Sequence, residues 1–381
     1  MMAKDTMAEY VEFRRLFPIT DNCIYFNHAG TGPMSLPAQR AVEQCLGVYS
    51  SQAEFDTERY FSMIREARST VARFINAIPE EIAFTHNTSE GIYIALCNLP
   101  FSENDMILVM DEVFPAVRYV VDHNLPHVKK KYIPFAGQDP IAVVGSNMDK
   151  RLKAVVVDYV QFLSGETIDL QRLSEFTSER GLYLVVDGIQ GVGAMSFDAA
   201  ESKVDFLACG SAKWLFGPSG AGFLYVNKRN FDKLRCQHTG WLGAGWTGFE
   251  DITRNPPLYE DARKYEMGTR NVIGIQALSE NINILLQYGM TQVEARILKL
   301  KSLLRDSFED LGLRILTPAS GKQSGILTVC PPVGVEGLYH RLKEAGMIVS
   351  MRNQSLRFSP HFYNSEEEVE QVVETIAQYR V

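Results

Sequence analysis

The sequence of 381 residues lacks the features that mark membrane-spanning, metal-binding and disulfide-rich proteins. It contains no apolar run of the roughly 18 residues that a membrane-spanning helix needs, so no such helix is predicted. The cysteines are scattered and form no C-x-x-C pair. This usage predicts buried free thiols in a reducing compartment rather than a zinc site or a disulfide framework, and no metal site is expected. The six cysteines are Cys23, Cys45, Cys97, Cys209, Cys236 and Cys330.

An excess of basic residues is also missing. Lysine and arginine number 38 against 46 aspartates and glutamates, which gives a net charge of −8. This balance argues against a nucleic-acid partner and against binding to an anionic membrane surface. Residues 1–9 do not show the basic and then apolar layout of a secretory signal, and we therefore expect a cytoplasmic protein.

Short apolar segments alternate with helical ones between residues 82 and 226. This alternation predicts an α/β fold whose mostly parallel sheet is covered by helices on both faces. In such a sheet, ligands bind at the carboxyl ends of the strands. The predicted strands lie near 82–85, 106–111, 128–133, 154–160, 182–187, 204–209 and 221–226.

The pattern changes from about residue 274, where a long helical stretch to about 311 is followed by the short strands and helices of an α+β domain. We therefore predict a large domain over residues 21–265 and a small domain made of residues 1–20 and 266–381. A chain of this length has enough residues for two domains. Residues 4–20 are predicted to form a short amphipathic helix that ends at Pro18.

The segment 205–226 is predicted to form two apolar strands joined by a turn of small residues and a Gly/Pro loop, and the turn carries Lys213. A lysine held between two buried strands is costly unless it is neutral or bonded. An imine between the lysine amine and a carbonyl cofactor would remove this cost. The simpler alternative is a surface lysine after a strand. Positive φ angles are predicted for three glycines that reverse the chain, at 217, 220 and 222.

A possible phosphate site lies where the strand 82–85 passes into a helix. Thr88 and Ser89 at the helix start offer hydroxyls and backbone N–H groups beside the positive end of the helix dipole. Taken alone, the same residues could simply cap the helix.

Two further strand ends carry groups that suit an aromatic cofactor. Asp187 ends an apolar strand, where it could pair with a pyridinium N–H, and Gln190 could donate to a phenolic oxygen on the same ring. Phe114, after the strand 106–111, could lie flat on that ring. An aspartate in a turn and a core phenylalanine are the alternatives.

These motifs together resemble the class V aminotransferase family of pyridoxal-phosphate enzymes. The resemblance runs from Tyr25-Phe-Asn-His-Ala-Gly30 to Leu356-Arg-Phe-Ser-Pro-His-Phe-Tyr-Asn364. It includes Asp187-x-x-Gln190, the segment from Lys213 to Gly222, and Glu266-Met-Gly-Thr269. Relatives include cysteine desulfurases, selenocysteine lyases, isopenicillin N epimerase-like proteins and kynureninase. The resemblance implies fold type I of the pyridoxal-phosphate-dependent transferases, with pyridoxal 5'-phosphate as cofactor and an amino acid as substrate.

The resemblance also implies roles for individual residues. Lys213 is expected to be the catalytic lysine that holds the cofactor as an imine. Thr269 is expected to reach the phosphate of the neighbouring subunit, which implies a homodimer with composite sites. The expected cofactor-binding residues are Thr88, Ser89, Phe114, Asp187, Gln190, Ser211, Lys213 and Thr269. The expected substrate-binding residues are Arg357, which would grip the α-carboxylate, and Ala29 and Gly30 in the turn beside it.

Two departures from the family pattern bear on the reaction. Relatives commonly carry Ser-x-His-Lys, whereas this chain has Gly210-Ser211-Ala212-Lys213, so the serine is shifted by one place and the histidine is absent. Desulfurases of this type place a nucleophilic cysteine between two arginines near the C-terminus. Here only residues 353–356 separate Arg352 from Arg357, and no cysteine occurs between 331 and 381. A persulfide-forming desulfurase needs that thiolate and is therefore not expected.

The expected activity is a C–S or C–Se β-lyase reaction on an amino acid through an external aldimine. Transfer of the amino group to a 2-oxo acid and epimerisation are the alternatives, and a catalytically silent binding relative is a minor one. His28, His86 and His361 are candidate second bases or, alternatively, structural histidines. Trp241 and Trp246, in the glycine-rich loop 239–248, could line the mouth of the site or pack at a dimer interface.

Overall fold

A computed structural model describes residues 10–246, 253–332 and 334–379. The predicted N-terminal helix therefore lies partly outside the described residues, which are helical at 10–14, and the end of the predicted loop 239–248 lies outside them as well. The helices are α1 Leu36–Gln52, α2 Thr57–Phe74, α3 Thr88–Cys97, α4 Pro115–Asn124, α5 Pro140–Ser146, α6 Leu170–Ser178, α7 Ala199–Ser202, α8 Val272–Tyr288, α9 Met290–Asp310, α10 Val335–Glu344 and α11 Glu366–Tyr379. The strands are β1 Ile24–Tyr25, β2 Ile82–Thr85, β3 Met106–Met110, β4 Lys129–Ile133, β5 Leu152–Asp158, β6 Tyr183–Asp187, β7 Phe206–Gly210, β8 Gly222–Val226, β9 Arg314–Ile315, β10 Leu327–Cys330, β11 Met347–Ile348, β12 Ser350–Arg352 and β13 Ser355–Phe358.

The main sheet of the described chain has seven strands in the order β2-β8-β7-β6-β5-β3-β4. The pairs from β4 to β7 are parallel, and β8 runs antiparallel to both of its neighbours. Every residue of β3, β7 and β8 is buried, as expected for a sheet covered on both faces. The mostly parallel sheet predicted from the alternating pattern is confirmed.

The edge strand β4 differs from the buried strands. It begins with three consecutive lysines, Lys129 to Lys131, and its residues are exposed or half-buried. Charged side chains on an edge strand discourage pairing with a second sheet. The lysines of β4 therefore disfavour the addition of a further strand at this edge.

A second group of elements surrounds a smaller sheet in the order β12-β13-β10-β9, in which neighbouring strands are antiparallel. Its hydrophobic core comes largely from α9, α10, α11 and this sheet, and Phe26 joins it from the N-terminal part of the chain. The α+β character expected for the C-terminal region is thus observed. Helix α8 contributes Val272, Ile275 and Leu278 to the core of the main sheet instead. The predicted boundary between the large and the small domain, at 265/266, stays a prediction.

A buried ion cluster joins the main sheet to the segment that precedes α8. Glu266 accepts hydrogen bonds from Arg68 Nη1 at 2.5 Å, from Arg68 Nη2 at 3.1 Å and from the backbone N–H of Phe84 at 2.8 Å, and it also pairs with Arg270. Burial alone would raise the pKa of Glu266, but the two arginines and the Phe84 N–H outweigh it and lower that pKa. Glu266 is therefore charged, and its negative charge compensates two buried cations.

We predict that Glu266→Gln lowers the free energy of unfolding by about 3–5 kcal/mol, because it leaves two buried guanidinium groups without their counter-charge. Denaturant unfolding at neutral pH measures the change. Glu366→Gln is the matched control: Glu366 pairs with Arg296 and Lys299 but its side chain is 41% exposed, so we expect a loss below about 1 kcal/mol. Equal losses in the two variants would contradict the structural role of Glu266.

Candidate active site

Lys213 follows β7 at the carboxyl edge of the main sheet and is half-buried. Its Nζ lies 5.5 Å from the centroid of the Phe114 ring. Burial lowers the pKa of Lys213; the Asp187 carboxyl opposes this change, and the positive charge of Arg357 adds to it. The structure therefore gives Lys213 an amine that loses its proton more readily than an ordinary lysine.

The backbone around Lys213 is fixed by the N-terminal turn. The N–H of Gly32 donates to the carbonyl oxygen of Ala212 at 2.8 Å, and a Cβ at position 32 would overlap the Lys213 carbonyl oxygen. Because only glycine allows this approach, the turn at 27–32 packs directly on the lysine loop.

The prediction for the glycines after Lys213 is only partly correct. Gly220 has the expected positive φ of 92°, but Gly217 and Gly222 do not have positive φ. At these two positions the requirement is space: a Cβ at 222 would lie 2.7 Å from the Cys209 carbonyl oxygen, and a Cβ at 217 would overlap the Ser211 side chain.

Two buried carboxyl groups lie side by side at the ends of neighbouring strands. Asp158 ends β5 and Asp187 ends β6, and the two are paired in register. Asp187 Oδ1 accepts from the N–H of Ile189 at 3.0 Å, and Asp158 Oδ2 accepts from the N–H of Phe114 at 3.3 Å. Asp158 Oδ1 is buried and has no hydrogen-bond partner among the described residues.

Burial raises the pKa of both carboxyl groups, and the neighbouring Asp187 raises the pKa of Asp158 further. Sequence reasoning identified Asp187 and missed Asp158. The available signal was the same for both, an acid at the end of an apolar strand. It was overlooked because the predicted strand ran on to residue 160, which placed Asp158 inside it.

Gln190 connects the strand edge to the N-terminal turn. Its Nε2 donates to the carbonyl oxygen of Ala29 at 3.0 Å, and its Oε1 accepts from Trp214 Nε1 at 3.0 Å. A carboxamide nitrogen carries two hydrogens, so one N–H of Gln190 remains for a ligand. Ala29 is also held by its N–H, which donates to Ser359 Oγ at 3.0 Å, whereas Gly30 donates to the Asn27 carbonyl within the turn.

The predicted phosphate site is at the N-terminus of α3. Thr88 Oγ1 accepts from the N–H of Gly210 at 2.9 Å, which brings the start of α3 against the end of β7. Ser89 is half-buried at the next position, and Asn87 caps the helix by accepting from the N–H of Glu90. The first turn of this helix therefore presents its N–H groups near the lysine loop, an arrangement that suits an anion.

Of the predicted cofactor-binding residues, Ser211 is hydrogen-bonded within its own loop and Thr269 is exposed. The Ser211 hydroxyl donates to the Pro218 carbonyl at 2.7 Å, so its only proton is used within the loop. Thr269 is exposed and lines a cavity of about 120 Å³ together with Thr85 and His86.

Arg357 approaches the site from the second sheet, where it is paired in register with Thr328 and Ser350. Its Nη1 donates to the Phe162 carbonyl at 2.6 Å and its Nη2 to Ser350 Oγ at 3.4 Å. Its Nε is buried and has no partner among the described residues. Burial, with a smaller contribution from Arg352, lowers the pKa of Arg357 to about 10. The guanidinium thus keeps N–H groups, Nε–H among them, that have no partner among the described residues and could bind a carboxylate.

The histidines proposed as second bases have partners already. His28 Nδ1 donates to the Ser359 carbonyl at 2.8 Å and its Nε2 accepts from Tyr363 Oη at 2.6 Å. His361 Nε2 donates to the Trp214 carbonyl at 3.3 Å and its Nδ1 accepts from the N–H of Phe362. Burial lowers the pKa of His28 to about 3 and that of His361 well below its usual value. His86 is exposed and pairs with Glu90.

Comparison with known proteins identifies the family. The model of the family described as aminotransferase class-V matches residues 24–372. The chain belongs to this family, as predicted. It is 25% identical over 374 residues to an uncharacterised aminotransferase of Bacillus subtilis, covering 96% of this chain and 97% of that protein. It is 28% identical over 389 residues to a probable cysteine desulfurase of Pyrococcus abyssi, covering 94% of each.

The fold is shared with solved structures. One of them, a cystine C–S lyase in complex with its reaction product cysteine persulfide, matches with a TM-score of 0.88 at 21% identity, over 95% of this chain and 99% of that one. The predicted α/β fold of type I is confirmed.

Family membership makes this chain an enzyme with pyridoxal 5'-phosphate as its cofactor. The residues at the sheet edge fit that group, because they supply an amine of lowered pKa, buried carboxyls, a helix N-terminus and an aromatic ring. Within the described ranges, no helix is long and apolar enough to cross a membrane. In the same ranges, no three His, Cys, Asp or Glu side chains are grouped to hold a metal ion.

We predict that Asp158→Asn flattens the pH dependence of stability of the cofactor-free protein. Because the folded pKa of Asp158 is raised, the folded protein keeps a proton that the unfolded chain releases above about pH 4. The wild type should therefore lose stability as pH rises from 4 towards the folded pKa, by at most about 1.4 kcal/mol per pH unit from this group.

Denaturant unfolding of the apoprotein at a series of pH values measures this dependence. Asp310→Asn, at an exposed position, is the matched control and should keep the wild-type slope. An unchanged slope in Asp158→Asn would show that Asp158 holds no extra proton.

Proposed function

We propose that this chain is a pyridoxal-phosphate-dependent β-lyase that acts on an amino acid with sulfur or selenium on Cβ, without a persulfide-forming cysteine. The observation that carries this proposal is that Lys213, Asp187 and Arg357 are grouped, while the cysteine recorded near Lys213 among the described residues is not a reactive one. Cys209 lies within electrostatic reach of Lys213, but it is fully buried and its pKa is raised by burial. A thiol kept protonated is a poor nucleophile. The similarity to a cystine C–S lyase supports this choice of reaction, and the similarity to a probable cysteine desulfurase supports a sulfur-containing amino acid as substrate.

We further propose how the chain holds the cofactor. Lys213 would bind it covalently, Asp187 would face the ring nitrogen, and Gln190 would donate its unused N–H to the ring oxygen. Phe114 would pack on the ring. Thr88 and Ser89 would hold the phosphate. We assign Ser211 to bracing the loop, because its proton is donated to Pro218.

The bound cofactor supplies an electron-withdrawing ring that acidifies the Cα–H of the substrate. The protein then has two tasks. Arg357 orients the α-carboxylate with the N–H groups of its guanidinium that the described residues do not use, a bidentate role that lysine fills poorly. Lys213, with its lowered pKa, removes the Cα proton as general base. The group on Cβ then leaves.

We also propose that the chain forms a homodimer with composite sites. Each subunit would consist of a large domain over 21–265 and a small domain of 1–20 and 266–381. Thr269 is exposed, and Met267 and Trp241 beside it are 48% and 46% exposed. Exposed apolar side chains next to a residue expected to reach the cofactor of another subunit favour an interface at this surface.

Epimerisation is less well supported. A two-base epimerase needs a second base near Cα, and both ring nitrogens of His28 and of His361 are occupied by hydrogen bonds. Amino-group transfer remains the alternative, supported by the similarity to an uncharacterised aminotransferase.

We predict that the purified enzyme, supplied with pyridoxal 5'-phosphate, converts cystine and water into pyruvate, ammonia and cysteine persulfide. Pyruvate is followed with lactate dehydrogenase and persulfide by cyanolysis, with S-alkyl cysteines as further substrates. With cysteine as the substrate, alanine in place of pyruvate would identify a desulfurase. Conversion of the cofactor to its amine form without pyruvate would identify an aminotransferase. Either result would overturn the lyase assignment.

A further inference from the structure

Two phenylalanine rings form an edge-to-face pair beside Lys213. Phe114 follows β3 and Phe162 follows β5, the neighbouring strand of the main sheet. Their centroids are 5.2 Å apart and their planes are at 88°. Phe114 is 43% exposed and Phe162 is half-buried. The Phe114 ring of this pair lies 5.5 Å from the lysine amine, so the two rings offer a ligand an apolar surface near that amine.

The backbone of Phe162 is tied to the arginine assigned to the substrate carboxylate. The Phe162 carbonyl accepts from Arg357 Nη1 at 2.6 Å. The next carbonyl, that of Leu163, accepts from the hydroxyl of Thr328, and Thr328 faces Arg357 in the register of the second sheet. The phenylalanine and the arginine are therefore held at a fixed separation.

Gln161 holds the two aromatic segments together. Its side chain is buried, and its Nε2 donates to the Glu112 carbonyl at 2.9 Å. Its Oε1 accepts from the N–H groups of Leu163 and Ser164 at 2.8 and 2.5 Å. The segments that carry Phe114 and Phe162 are thus braced by one amide, and a wall of this kind is preorganised before a ligand binds.

From this geometry we propose that Phe162 determines substrate specificity: with Phe114 it forms an apolar wall between Lys213 and Arg357 that selects an amino acid with a thioether, disulfide or alkyl side chain over one with a charged side chain. The inference rests on the proposed function, since it needs Arg357 to bind the carboxylate. A substrate held by Arg357 with its amino group towards Lys213 places Cβ beside this wall. Sulfur makes favourable contacts with aromatic rings, whereas a carboxylate there would lose hydration without a partner.

Binding of two substrate fragments to the holoenzyme tests the proposal without any turnover. 3-(Methylthio)propionate and succinate both offer a carboxylate to Arg357, but only the first has a thioether for the wall. Isothermal titration calorimetry gives both dissociation constants. We expect the wild type to bind 3-(methylthio)propionate about tenfold more tightly than succinate.

Phe162→Leu, which keeps an apolar side chain but removes the ring, should reduce this preference by about three- to tenfold. Phe162→Tyr should retain it. The matched control is Phe176→Leu on helix α6, where the ring packs near Gly145, and it should bind both fragments as the wild type does.

No preference for the thioether in the wild type would overturn the proposal, as would an unchanged ratio in Phe162→Leu. Equal weakening of both fragments in that variant would also overturn it, because Phe162 would then act only by placing Arg357. The lyase proposal is tested separately. If cystine gives no pyruvate but the wild type still prefers the thioether fragment, the proposed reaction is contradicted and the proposed role of Phe162 in specificity stands.

Discussion

The site depends on the charge balance around one amine. Lys213 is half-buried beside the carboxyls of Asp187 and Asp158 and within reach of the guanidinium of Arg357, and burial lowers its pKa. The Asp187 carboxylate favours the charged form of Lys213, whereas burial and the positive charge of Arg357 favour its neutral form. The same arrangement gives an amine that is neutral more often than an ordinary lysine, which is the form that attacks a carbonyl or removes a proton.

Two sheets contribute to this site, and the N-terminal turn connects them. The main sheet supplies Lys213 and the two acids at strand ends, where a parallel sheet gathers polar groups. The second sheet supplies Arg357. Strand β1 pairs with β11 on the side of the second sheet, and the turn that follows binds Gln190 through Ala29 and the lysine loop through Gly32. The turn therefore ties the side of the site that carries Arg357 to the side that carries Lys213.

Much of this site could be predicted from sequence because its residues stand at strand ends or in loops with recognisable neighbours. The structure brings Lys213, Asp187 and Arg357 within electrostatic reach of one another, and their roles stay predictions. Asp158 stands inside the predicted strand 154–160, and an isolated phenylalanine such as Phe162 carries no signal until its ring is seen beside Phe114. The pairing of His28 with Tyr363 and the donation from Ser211 to Pro218 depend on long-range packing. Residue type alone does not contain that information.

Reduction of the holoenzyme with borohydride, followed by proteolysis and mass spectrometry, tests the central claim most directly. We expect the mass of the reduced phosphopyridoxyl group on the peptide that contains Lys213, and its loss in Lys213→Ala. Lys264 and Lys301 are also buried but bond to the Phe231 carbonyl and to Gln323, and they should remain unlabelled. A label on either of these lysines, or no label on Lys213, would contradict the account.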